Sequence, residues 1–232
     1  MDALRVENLT KVYKKKVVLD SISFSIENNN TTVILGLDKS GKSTLTKILS
    51  LIKKPNSGNI YYFDNLKIAS DNYTNDVSLM PEEVGLSEHL TVFENIYVMA
   101  LTRHFKAKGV KELVIEYMKK YGLYDRFDDK VKTLSISLKK LVSFVIALIT
   151  DSKVIILDEP FKDVDIQTKR KMIEYIKELK GIKTFIITTE MPDVAIELSN
   201  NLFILENGKI KKLDGFSDSK LLENRLLNGE VL

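Results

Sequence analysis

Residues 33–44 read "VILGLDKSGKST". An apolar run breaks at Gly36, four residues intervene, and Gly41, Lys42 and Ser43 follow, which is the spacing of a phosphate loop set between a buried strand and a helix. Glycines let backbone amides curl round an anion, Lys42 brings a point charge to β- and γ-phosphates, and the Ser43 hydroxyl can ligate magnesium. The helix that starts at Lys42 adds the positive end of its dipole. Gly36, Leu37, Asp38, Lys39 and Ser40, then Gly41, Lys42, Ser43 and Thr44, are therefore the expected cradle for a nucleotide's phosphates.

Further along, "VIILDE" (residues 154–159) ends an apolar strand with two carboxylates, at the edge where ligands bind in open parallel sheets. Asp158 would hold magnesium through water. Glu159 would orient or deprotonate an attacking water, the general-base role.

Around these two motifs the chain changes texture. Up to about residue 80, "LRVENLTKVY", "VVLDSISFSIE", "GNIYYFD" and "DVSLM" read as strands, and "KSTLTKILSLI" as a helix. Residues 91–150 carry apolar positions at three- and four-residue spacing in "TVFENIYVMALTRH", "GVKELVIEYMKKYGL" and "LKKLVSFVIALIT", a helical subdomain. Then come a strand in "KVIILDEP", an amphipathic helix in "TKRKMIEYIKELKG" closed by Gly181, and a buried strand in "KTFIITT". Strands alternating with helices predict an α/β fold with a mostly parallel or mixed sheet, joined to an N-terminal antiparallel β subdomain and the helical subdomain. The expected division is a nucleotide-binding core of about 1–90 and 151–215, helices over about 91–150, and a helical tail over about 216–232.

Composition narrows the class. The chain has 232 residues, 44% hydrophobic and 29% charged, enough for a full core. Its longest apolar run, Leu141 to Ile149, falls short of the roughly 20 residues of a membrane-spanning helix. The start lacks the pattern of a secretory signal, and there is no cysteine, which predicts a cytoplasmic protein. Thirty-five basic against 32 acidic residues leave a net +3, which gives no reason to expect a nucleic-acid partner.

Taken in order, these elements resemble an ATP-binding cassette ATPase, the nucleotide-binding subunit of an ABC transporter, over nearly the whole chain. "LTKVY" resembles the family's opening strand, whose aromatic stacks on adenine, which nominates Tyr13. "GLSEHLTVFENI" resembles the entry to the helical subdomain, "KTLSISLKK" stands at the family signature, "LDEPFKDVD" is similar to the second nucleotide motif and D-loop ending at Asp165, and "ILENGKI" resembles the closing hairpin. The resemblance implies Mg-ATP as ligand, a transmembrane permease as partner, a peripheral place on the inner face of the cell membrane, and two ATPases facing head to tail. Within the family, the helical stretch is most similar to the short ATPases of drug and peptide exporters.

Departures from the family pattern imply impaired hydrolysis. Where the signature reads LSGGQ, this chain has Leu134, Ser135, Ile136, Ser137 and Leu138. Ser135 keeps a hydroxyl for the opposing γ-phosphate, but the glycines that permit close approach are gone. Glu82 replaces the usual glutamine; it can ligate magnesium but adds negative charge beside phosphates. Glu190 stands where a catalytic histidine usually contacts the γ-phosphate, and His89 and His104 fall in the helical region and cannot replace it. Lys39 takes a position that is usually glycine. Two identical copies would carry every defect at both sites, so the pattern favours a heterodimer with an intact ATPase over a homodimer. The alternative functions are a non-hydrolysing ATP-dependent clamp and a non-transport ATPase of the same family.

Overall fold

Alternating and continuous burial separate two kinds of strand in the computed structural model, which describes residues 1–67, 76–104, 108–215 and 218–228. Strands β1 (Asp2–Tyr13) and β2 (Lys16–Glu27) pair antiparallel from Asp2 opposite Glu27 to Tyr13 opposite Lys16. On β2, residues Leu19, Ile22, Phe24 and Ile26 face the core while their neighbours face solvent. With β4 (Ser57–Tyr62) and β5 (Asn65–Lys67) they form a four-stranded sheet in the order β2-β1-β4-β5. In contrast β3 (Thr31–Leu35), β7 (Val154–Asp158) and β8 (Thr184–Thr189) are buried at every position. That is the mark of parallel strands covered on both faces. They lie inside a six-stranded sheet ordered β10-β9-β3-β8-β7-β6, completed by β6 (Val77–Met80), β9 (Asn201–Glu206) and β10 (Lys209–Leu213). Only β10 within it runs antiparallel, as the return of a hairpin.

One core lies between the two sheets, where helix α1 (Lys42–Leu49) packs Leu45 and Ile48 against Leu4, Ile26, Ile34 and Ile156. Tyr62 is buried there and donates its hydroxyl to Leu49 O at 2.8 Å, which satisfies the only polar atom of its side chain. The second core covers the other face with α2 (Val92–His104), α3 (Val110–Lys120), α4 (Ile136–Ile149), α5 (Ile166–Glu178), α6 (Pro192–Leu198) and α7 (Ser219–Asn228). The phosphate loop leaves β3 between these two layers.

Helix ends differ from the periodic reading for local reasons. Helix α1 stops at Leu49, because Leu51 takes a left-handed backbone (φ 62°) and Ile52 turns out to solvent. Helix α4 starts two residues earlier than its apolar stripe, at a Ser135 cap. Helix α5 ends at Glu178, ahead of left-handed Gly181. Residues 68–75 of the expected core, 105–107 of the helical stretch and 216–217 and 229–232 of the expected tail lie outside the described residues, as does the side chain of His104. Among the described residues no helix is long and apolar enough to cross a membrane.

Candidate functional site

The loop from β3 to α1 is shaped by contacts that exclude side chains at its corners. A Cβ on Gly36 would lie 2.6 Å from both Leu205 O and Ser40 Oγ, so only glycine fits. Gly41 adopts φ 110° and Lys39 φ 63°, the left-handed geometry that a glycine would take more easily than a lysine. Lys42 folds back over this loop, donating from Nζ to Gly36 O at 2.7 Å and Leu37 O at 2.9 Å. It also lies 3.1 Å from Glu159 Oε1, an ion pair without hydrogen-bond alignment, with both side chains buried.

Behind the loop sit the carboxylates. Asp158 is clamped on both oxygens, by Thr46 Oγ1 of α1 at 3.0 Å and Thr188 Oγ1 of β8 at 2.7 Å. Glu159 turns the chain at the end of β7 with φ 45°, its N–H donating to Thr188 O at 3.1 Å. Burial pushes its carboxyl up to about 7; Lys42 opposes that shift, and the charges of Glu190 and Asp158 add to it. Carboxyl groups poised there are suited to general-base work near neutral pH.

Two lysines that the sequence reading passed over complete the arrangement. Lys162 Nζ donates to Glu82 Oε1 at 2.8 Å, while Ser43 Oγ donates to Glu82 Oε2 at 3.2 Å. The Lys162 hydrogen bond holds the Glu82 carboxyl below the usual range, with Ser43 and Lys140 assisting against desolvation. The expected surplus negative charge at Glu82 is thus matched by a partner cation. Lys140, buried in α4, donates to Glu82 O at 2.6 Å and Glu159 O at 3.1 Å. Burial lowers its ammonium pKa, against the pull of nearby carboxylates. A lysine three residues past "LDE" was the visible signal for Lys162.

Lys42, Ser43, Glu82, Glu159, Lys162 and Glu190 line one cleft of about 190 Å³, with Asp38, Lys39 and Thr44 at its loop side. These residues fit magnesium-bound phosphates. The loop has no room for side chains at Gly36, Ser40 Oγ is buried without a partner, and Ser43, Glu82 and Asp158 supply the hard oxygen donors that magnesium selects. Tyr13 stands outside this cleft, at the end of β1, with Lys53 Nζ 4.5 Å from its ring centroid.

Ser135 and Asp165 lie elsewhere on the surface. Ser135 Oγ accepts from Leu138 N at 3.3 Å and caps α4; Asp165 Oδ1 accepts from Thr168 N at 2.9 Å and caps α5. Ser137, expected beside Ile136 at a contact with an opposing chain, is instead buried, its Oγ accepting from Asp165 N at 2.9 Å. Ile136 alone of that pair projects outward, 50% exposed.

The profile of the family described as ABC transporter matches residues 19–162, from β2 through the phosphate loop to Lys162. The chain belongs to the ABC transporter family. Among its relatives, the spermidine/putrescine import ATP-binding protein PotA of Mycoplasma capricolum subsp. capricolum is 30% identical over 213 residues, covering 90% of this chain and 60% of that one. The phospholipid-transporting ATPase ABCA3 of Rattus norvegicus is 28% identical over 214 residues, 90% of this chain and 12% of that one. The chain therefore spans less than two thirds of either relative, 60% of the first and 12% of the second. A solved dimer of a bacterial ABC transporter cassette superposes with a TM-score of 0.81 at 25% identity, over 92% of this chain and 100% of that one.

Proposed function

We propose that the chain is the ATP-binding subunit of an ABC transporter, binding Mg-ATP and driving or gating a membrane partner, with slow hydrolysis of its own. The observation that carries this reading is the Lys42–Glu159 pair inside the phosphate loop, a cation and a near-neutral base held 3.1 Å apart in a buried cleft. On binding, Lys42 exchanges the loop carbonyls for phosphate oxygens, and Ser43, Glu82 and Asp158 are the residues that would hold magnesium. Bound there, magnesium would supply charge neutralisation to the phosphates. Glu159 accepts the proton of the attacking water as its oxygen bonds to the γ-phosphorus; the bridging bond breaks and its electron pair leaves with ADP. Tyr13 stacks on adenine. In a facing dimer, Ser135 and Asp165 approach the opposing nucleotide.

Glu190 and Ile136 slow the reaction. A carboxylate beside the γ-phosphate opposes the charge stabilisation that dominates phosphoryl transfer, an effect worth about 100- to 1,000-fold per lost donor. A heterodimer with an intact ATPase leaves one damaged half per site and is the arrangement we favour. The same two residues support a second reading, a clamp that binds without hydrolysing; turnover measured with the membrane partner separates the two.

The partner's seat in this reading is an apolar groove of about 320 Å³ beside the Glu82 loop, formed by Leu79, Leu86 and Leu90 with Val98 and Met99 of α2 and Ile146 of α4. A permease docked there would hold the chain at the inner face of the membrane. Export is the direction favoured by the resemblance to short exporter ATPases; the relatives' names include import and phospholipid transport. Calorimetric titration with Mg-ATP tests the core claim. Wild-type protein is expected to bind, and Lys42→Ala to bind at least about tenfold more weakly, the cost of a lost charged hydrogen bond. Equal affinities would remove the basis of the proposal.

A further inference from the structure

The phosphate cleft is lined by Asp38, Glu82, Glu159 and Glu190 against Lys39, Lys42 and Lys162. Such a site repels a polyanion unless its cations are free to meet it. Lys42 is bound to the loop, and Lys39 is exposed on the loop's outer shoulder. On the wall opposite the loop, with Glu82, Glu159 and Glu190, Lys162 is the lysine present among the described lining residues. Its side chain is 34% exposed and its ammonium is one carboxylate away from Ser43, because Glu82 bridges the two through its separate oxygens.

Resting on the nucleotide-binding reading above, we infer that Lys162 is a terminal-phosphate ligand, parked on Glu82 until nucleotide binds and then transferred to the γ-phosphate. The exchange follows from donor chemistry. A hard cation held by Ser43 and Glu82 would neutralise the Glu82 carboxylate and so weaken its hold on Lys162, which sits on the other carboxylate oxygen. The next anion in the cleft is the terminal phosphate, and a four-carbon stem with a compact ammonium can re-aim without moving backbone. Lys162 also feels the charges of Glu190 and Glu159, which locates it on the wall where Glu190 would otherwise face a γ-phosphate alone. A lysine on this wall supplies the positive charge that Glu190 cannot.

The experiment measures Mg-ATP and Mg-ADP affinity by calorimetry for wild type, Lys162→Met, Lys162→Arg and the double variant Lys162→Met with Glu82→Gln. Lys162→Met is expected to lower the ratio of ATP to ADP affinity about tenfold or more, since the γ-phosphate alone loses a charged contact. Lys162→Arg, which keeps the cation, is expected to hold the ratio within about threefold of wild type. The double variant is expected to stay as low as Lys162→Met. Recovery of the wild-type ratio in the double variant would show that Lys162 only neutralises Glu82 and would overturn the inference, as would equal weakening of both nucleotides. Lack of Lys42-dependent binding by wild type would overturn the nucleotide-binding reading and this one together; Lys42-dependent binding with an unchanged ratio in Lys162→Met overturns this one alone.

Discussion

At the scale of single residues, Glu159 ionises against its surroundings, and a glutamine there is its neutral form with no proton to lose. Its folded pKa of about 7 lies above the ordinary 4.5, chiefly because the group is buried. Between those values the folded chain holds a proton that the unfolded chain has released. Stability of the nucleotide-free protein therefore falls as pH rises through that window, and the loss is complete above about pH 7. At about 1.4 kcal/mol per pKa unit the ceiling is about 3 kcal/mol. Glu159→Gln is thus expected to melt roughly 5 °C or more above wild type at pH 8, and by a much smaller margin at pH 5, in thermal scans without nucleotide. The same offset at both pH values would refute this account of Glu159. Asp158 beside it differs in its contacts, with Thr46 and Thr188 hydroxyls each donating to one of its oxygens.

At the scale of elements, the start of α4 shows why neighbouring residues of one motif have different fates. Ile136 is the first residue of the helix and points out, while Ser137, one step of about 100° round the helix, points in and takes the N–H of Asp165. Removing that acceptor leaves a donor at the N-terminus of α5 unmet. Ser137→Ala is expected to lower stability by about 1 kcal/mol and Ile136→Ala to change it by less than half as much, read from urea midpoints. A Ser137→Ala midpoint equal to wild type would show that water replaces the serine. This contact also marks the boundary of what could be read in advance. The strand, loop and helix of residues 33–49 and the carboxylates ending β7 declare themselves through neighbours in sequence, since apolar periodicity and glycine spacing are local signals. The Glu82–Lys162 pair joins residues 80 apart, and the Ser137–Asp165 bond residues 28 apart; such meetings depend on how sheet and helices stack, and a motif does not encode them. Helix α6 lay within reach, since Pro192 at its first turn followed by Asp193 is a start signal in "MPDVAIEL".

For the whole molecule, the surface around Ser135 bears on the facing dimer proposed above. In that arrangement a second copy would bring the half-exposed Ile136 toward the phosphates, where close approach favours a glycine, and Glu190 would line the same site. Glu159→Gln protein, in which bound ATP cannot be consumed through this base, is expected to remain monomeric with Mg-ATP in light scattering. An ATP-dependent homodimer would sink the unequal-pair model and restore a symmetric one. In the proposed assembly a message would pass between the apolar groove and the nucleotide, and Lys140 marks a short path for it. One ammonium grips the backbone of Glu82 and of Glu159 at once, and the helix that carries it presents Ser143 and Ile146 to the groove within two turns. The loop beside the groove and the turn that carries the base thus share one hydrogen-bond donor, so a shift of either strains its bond to the other. Because coupling free energies are reciprocal, whatever ATP contributes to the grip on a body seated in the groove, that body returns to the grip on ATP.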